Sequence, residues 1–276
     1  VFGALAFTAA CDRSAAREPP AQTATARPVP ASAPAVPAAV PDGAVQTPPS
    51  PSSTFLTPAP PPSPPAAVPA DAPSQPGRSC NVALIGDSLT DFRVHGGRYV
   101  RYLMERCPAS HFENLAKGGA MVNQMRRWFE ARMASEPAGA FTHVIVFGGV
   151  NDLYSDETAG RTTSKIEADL AAIYAEAKSR GARVVAVTVA PWGGFSRYFT
   201  PHRADTTREL NAWILAQRGA GTVDLTIDAH SLLACGDPDR ICPSYENVRS
   251  DGLHFGAAGH EVLGKALYEA EFRSCL

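Results

Sequence analysis

The chain has 276 residues, carries 25 Lys and Arg against 27 Asp and Glu for a net charge of −2, and places 19 of its 25 prolines before residue 78. The near-neutral balance gives no electrostatic case for nucleic acid, and the proline-rich third excludes one folded unit spanning the whole chain. Residues 80–276 are ordinary in composition and long enough to bury a sizeable core.

Residues 1–17 open with the apolar, small-residue stretch VFGALAFTAAC, which is too short to span a bilayer as a helix. It reads as the end of a secretory signal. Thr8-Ala9-Ala10-Cys11 resembles a bacterial lipoprotein processing site, in which Cys11 is the lipidated residue and anchors the protein to a membrane; the alternative is an ordinary cleaved signal. Both readings expect export to the periplasm or cell envelope. Residues 18–78 have no sustained apolar period and almost no charge. Such a Pro/Ala-rich segment cannot bury enough apolar surface to offset its ordering entropy, and it is expected to be a disordered linker biased to polyproline II.

The folded part, expected over residues 80–276, alternates strands and helices. Asn81–Gly86 reads as a buried strand, 99–107 as a helix and 111–115 as a short strand. A helix is predicted over 120–133, followed by the β-branched strand FTHVIVFGG at 141–149. The segment 165–179 is an amphipathic helix, and ARVVAVTVA at 182–190 is a continuous apolar strand stopped by Pro191. A helix over 206–218, a fifth strand over 222–227 and a closing helix over 259–273 complete the pattern. Strands apolar on both faces and alternating with helices indicate an α/β domain whose parallel sheet is covered on both sides. Ligands of such sheets bind beyond the carboxyl ends of the strands. Ser88 lies just past the first strand and Gly148–Asp152 just past the third.

A serine hydroxyl attacks only when a base takes its proton and a third group orients the base. The stretch SDGLHFGAAGH offers Asp251 and His254, three residues apart, as that pair. NLAKGGA offers Gly119 and GGVND offers Asn151 as donors to an oxyanion. Taken together and in this order, Gly86-Asp87-Ser88-Leu89, Asn114 to Gly119, Gly149-Val150-Asn151-Asp152 and Asp251-Gly252-Leu253-His254 resemble the four sequence blocks of the SGNH, or GDSL, hydrolases. The resemblance runs over essentially all of 80–276. It implies a flavodoxin-like three-layer sandwich with a five-stranded parallel sheet of order 2-1-3-4-5. It also implies Ser88 as nucleophile with His254 and Asp251, and an oxyanion hole made by the amides of Ser88 and Gly119 with the Asn151 side chain. It calls for no metal and no cofactor.

The remaining features are less specific. Asp87 and Asp152 are expected to tie down their turns through backbone N–H groups. Lys117 beside Gly119 reads as a solvated lysine or as a contact for an anionic substrate, and Arg126, Arg127 and Arg132 as a solvated face. The loop APWGGFSRYFTPHR at 190–203 brings Trp192, Phe195, Tyr198 and Phe199 to the expected catalytic edge, either to touch a sugar or acyl group or to pack on itself. Cys235 and Cys242 bracket a hydrophilic turn and are expected to form a disulfide. Cys80, Cys107 and Cys275 fall near the opposite edge of the sheet, and Cys80–Cys107 is the expected second pair. Three functions follow: an esterase removing acetyl or other short acyl groups from an envelope carbohydrate or small metabolite, a lysophospholipase or thioesterase acting on lipids, and a non-enzymatic glycan-binding module.

Overall fold

The computed structural model describes residues 77–94 and 96–275; the signal segment with Cys11 and the linker as far as residue 76 lie outside the described residues. Five strands, β1 (Asn81–Gly86), β2 (His111–Asn114), β3 (His143–Phe147), β4 (Arg183–Val187) and β5 (Leu225–Ile227), form one sheet in the order 2-1-3-4-5. Every pairing is parallel, with Val82 opposite both Phe112 and His143, and Val146 opposite Ala186. This is the three-layer α/β sandwich expected.

The helices are α1 (Arg98–Arg106), α2 (Val122–Ala134), α3 (Val150–Tyr154), α4 (Asp156–Ala159), α5 (Thr163–Ser179), α6 (Pro201–Gly219), α7 (Ala229–Leu233) and α8 (Ala257–Leu267), the last continuing into a π-helical turn at Tyr268–Phe272. A small hairpin, β6 (Ala234–Cys235) with β7 (Asp237–Ile241), follows α7. Strand periodicity divides the core in two. Ala83, Ile85, Val144, Val146, Val184 and Ala186 point to one face, where Met125 and Phe129 of α2, Ile166 and Ile173 of α5 and Leu210 of α6 cover them. Val82, Leu84, Ile145, Phe147, Val185 and Val187 point to the other, under Leu103 of α1 and Leu263 and Leu267 of α8.

Some boundaries and short elements differ from expectation. The helix predicted from 206 begins at Pro201: proline suits the first helical position, and Thr200 caps it by accepting from the Arg203 amide at 3.2 Å. The short helices α3 and α4 occupy residues whose polar, unpatterned sequence carries no 3.6-residue period.

The cysteines require one correction. Cys235 and Cys242 are disulfide-bonded with their Cα atoms 4.9 Å apart, but Cys107 bonds to Cys275, at a Cα separation of 5.4 Å, rather than to Cys80. Helices α1 and α8 lie against each other closely enough that a Cβ on Gly264 would meet the Tyr99 carbonyl at 2.7 Å, and the π-helical turn that continues α8 carries the chain on to Cys275, beside Cys107 at the end of α1. Cys80 is buried at the start of β1, where its amide donates to Ser110 Oγ at 2.9 Å, and holds no disulfide.

Candidate active site

All five parallel strands end at the same edge, and the loops beyond them carry the predicted residues. β1 stops at Gly86 because the Asp87 carbonyl accepts from both the Thr90 and Asp91 amides, at 3.1 and 2.9 Å, closing a tight turn that lifts Ser88 to a half-buried position. Asp87 itself is fully buried and accepts from the Leu89 amide at 2.9 Å through Oδ1. Burial, with a further push from the neighbouring Asp152, raises its carboxyl to about 7 against the opposing Leu89 amide; its Oδ2 has no hydrogen-bond partner among the described residues.

The C-terminal residues come back to this turn just ahead of α8. Ser88 Oγ lies 2.8 Å from His254 Nε2, and His254 Nδ1 lies 3.0 Å from Asp251 Oδ2. The Asp251 carboxylate also accepts from the amides of Leu253 and His254 at 3.0 and 2.8 Å. Burial pushes Asp251 up, but those amides and the imidazole outweigh it and hold the carboxyl below the usual range. With Nδ1–H donating to Asp251, Nε2 is left to accept the Ser88 proton, which is the arrangement a general base needs. Asn247 was not anticipated. Its amide donates to Asp251 Oδ1 at 3.2 Å and to the His254 carbonyl, bracing the turn from behind; a lone Asn in a loop carries no sequence signal for this.

Opposite that turn, β2 and β3 deliver the oxyanion candidates. Gly119, at φ +75°, has no atom within 4 Å of where a Cβ would stand, so it borders open space. The preceding Gly118 amide is held at 2.9 Å by Asp91 Oδ2. Asn151, on α3 directly after β3, is buried and donates through Nδ2 to the Ala120 carbonyl at 3.0 Å. That nitrogen carries a second hydrogen. Asp152 accepts from a backbone N–H, that of Val122 at the start of α2, which ties the α3 turn to that helix.

The loop after β4 divides its aromatics. Trp192 is a correction: it is 1% exposed, donates Nε1–H to Thr207 Oγ1 at 3.0 Å and meets Phe199 edge to face at 4.8 Å, so it belongs to the core and faces no ligand. Its indole nitrogen finds a partner on α6, which removes the reason for it to turn outward. Phe195 and Tyr198 are half-buried and cluster with Tyr154 of α3, at ring separations of 5.9 and 5.6 Å. Tyr154 was missed because nothing in its local pattern separates it from an ordinary helix residue. Lys117 places Nζ 3.8 Å from the centre of the Trp128 ring, at a groove of about 680 Å³ on the outer side of the β2–α2 loop that is not lined by Ser88, Asn151, Asp251 or His254.

No curated protein matches the chain in sequence. Among solved structures, a GDSL-like lipase from Bacteroides thetaiotaomicron is similar at 18% identity and a TM-score of 0.54, covering 69% of this chain and 86% of that one. An acetylxylan esterase from Geobacillus stearothermophilus, solved as a catalytic mutant, is similar at 18% identity and a TM-score of 0.52, covering 70% and 94%. A member of the lipolytic G-D-S-L family from Veillonella parvula is 17% identical with a TM-score of 0.54, covering 70% and 98%. At these identities the likeness is one of fold. The family model described as GDSL-like Lipase/Acylhydrolase matches residues 84–262, which is most of the described domain, and the chain belongs to that family.

Proposed function

We propose that the protein is an exported serine esterase that removes acetyl or other short acyl groups from a carbohydrate or small metabolite of the cell envelope. The observation that carries the reading is the line from Ser88 Oγ to His254 Nε2 to Asp251, at 2.8 and 3.0 Å, beyond the carboxyl ends of the strands. Ser88 Oγ adds to the ester carbonyl and its proton passes to His254 Nε2. The oxyanion is received by the amides of Ser88 and Gly119 and by the second Asn151 N–H, donors worth about 3–4 kcal/mol each in comparable sites. The alcohol leaves with the proton from His254, and water, deprotonated by the same nitrogen, then releases the carboxylic acid and restores Ser88.

The short-acyl preference is supported by the resemblance to an acetylxylan esterase. Export is supported by the two disulfides, which persist in oxidising compartments. Anchoring through Cys11 and tethering by residues 18–78 belong to the same proposal. The test is turnover of p-nitrophenyl esters from acetate to palmitate by the protein and by Ser88→Ala. Preference for acetate, lost in Ser88→Ala, is the expected result. Preference for long chains points to a lipid-directed hydrolase, and no turnover to a glycan-binding module.

A further inference from the structure

Behind the candidate oxyanion loop, three buried charged side chains and one half-exposed arginine form a continuous series. Asp152, fully buried, accepts from the Val122 amide at 2.9 Å through Oδ2 and from Arg161 Nε at 2.6 Å through Oδ1. Arg161, only 8% exposed, reaches Asp169 Oδ2 of α5 with Nη2 at 2.6 Å. Asp169 Oδ1 in turn lies 2.9 Å from Arg126 Nη1 on α2, one helical turn beyond Val122. The series leaves α3 at Asp152, passes through Arg161 before α5 and Asp169 on α5, and ends on α2, the helix whose first amide Asp152 also holds.

Ion pairs this deeply buried seldom stabilise a fold better than apolar side chains of similar volume, so stability alone does not account for the arrangement. Its inner end does. Neighbouring residues of α3 grip both ends of one short segment: Asn151 Nδ2 donates to the Ala120 carbonyl and Asp152 accepts from the Val122 amide. Gly119 immediately precedes that segment. A carboxylate can hold an amide and a guanidinium together because both its oxygens accept. Burial drives Asp152 toward its neutral form, and the Val122 amide and Arg161 oppose that drive. Among the described residues Arg161 is the cation bonded to it.

We propose that Arg161 is a positioning residue for the oxyanion hole: it anchors the Asp152 carboxylate, which fixes the Val122 amide and so the direction of the Gly119 N–H. The inference rests on the reading of Ser88 as nucleophile and Gly119 as donor. Arg161 touches no substrate, and its loss acts on the transition state through geometry, as small misplacements of catalytic donors do.

The test measures p-nitrophenyl acetate hydrolysis and inhibition by phenylboronic acid, which forms a tetrahedral adduct on a nucleophilic serine. Arg161→Gln is expected to lower kcat about tenfold to hundredfold, to leave KM within about twofold, and to weaken boronate binding in step with kcat. Arg161→Lys is expected to recover part of the loss. If Arg161→Gln does not fold, Asp169→Asn, which loosens the outer hold on Arg161 at nearly constant volume, is judged by the same criteria. A folded variant with unchanged kcat, or a loss confined to KM or matched to the unfolded fraction, overturns the inference. Unchanged turnover in Ser88→Ala overturns instead the reading of the site on which it rests.

Discussion

Gly194 and Gly252 meet backbone to backbone: a Cβ on Gly194 would stand 2.6 Å from the Gly252 Cα. The loop after β4 therefore rests on the turn that carries Asp251 and His254. It is tied on its other side to the hairpin, where the Gly193 amide donates to the Asp239 carbonyl at 2.6 Å, and the Cys235–Cys242 disulfide closes that hairpin. Gly252 also needs its φ of +71°, a conformation that costs an L-residue roughly 1–2 kcal/mol. Gly252→Ala adds a side chain where there is neither room nor a permitted backbone, and the nearest thing that can move is the His254 turn. Turnover is expected to fall about tenfold or more while a cooperative thermal transition survives. Steady-state kinetics and a melt on the same preparation check it, and unchanged kcat would mean that the contact does not position the base.

Ser88→Ala should abolish ester hydrolysis and labelling by a fluorophosphonate without unfolding the domain, since Ser88 is half-buried and its hydroxyl bonds His254. His254→Ala should be comparably damaging, because the hydroxyl loses its base. Asp251→Ala should cost less than either, since the carboxylate only orients the imidazole and stabilises its cation.

Asn151→Ala is expected to lower kcat by about 10²–10³ with little change in KM, as removal of one oxyanion donor does. The same variant leaves the Ala120 carbonyl without its partner, so stability should fall as well. A change confined to KM would assign Asn151 to ground-state binding.

Much of this site was legible because chemistry and topology agree locally. The apolar runs of β1, β3 and β4 have period-free burial on both faces, each stops at a small polar block, and parallel topology forces those blocks to one edge. The aromatic loop was less legible because its residues differ by their neighbours: Trp192 donates to Thr207 and enters the core, while Phe195, which has no polar atom to pair, packs against Tyr154 and Tyr198. Arg161 was invisible in sequence, since its partners stand 8 and 9 positions away on different elements. The pairing of Cys107 depended on the path of the chain after α8, which brings Cys275 to the end of α1 and which strand order does not set.

The Cys107–Cys275 disulfide spans 168 residues and staples α1 to the end of the chain. A cross-link closing so long a loop removes much denatured-state entropy, worth on the order of 2–5 kcal/mol in the chain-entropy account. Cys107→Ser with Cys275→Ser should lower the denaturation midpoint clearly more than Cys235→Ser with Cys242→Ser, whose loop spans 7 residues. The active-site geometry lies at the opposite edge, so the native fraction should keep its kcat. Equal losses from the two double variants would contradict the loop-length argument.

The last prediction concerns acid stability. His260, on α8, is buried between Tyr99, 6.2 Å away in a stacked arrangement, and Phe255, at 4.3 Å, with no hydrogen-bond partner for Nδ1 among the described residues. Burial first, then the charges of Arg98 and His254, push its pKa down to about 3 from 6.5. The native protein therefore holds the neutral ring while the unfolded chain takes a proton, and between those two values the unfolded state binds more protons. Stability is fully present above pH 6.5 and falls as pH drops toward about 3. Asp87 acts with the opposite sign: its carboxyl, raised by burial from 3.8 to about 7, keeps a proton in the native state that the unfolded chain has lost, so its contribution declines as pH rises between those values. The two slopes oppose each other where they overlap, and each is exposed by removing the other. Urea midpoints from pH 4 to 7 should rise less steeply with pH in His260→Phe than in the parent, and more steeply in Asp87→Asn. A His260→Phe profile that runs parallel to the parent would show that the ring is not the group whose protonation unfolds the domain in acid.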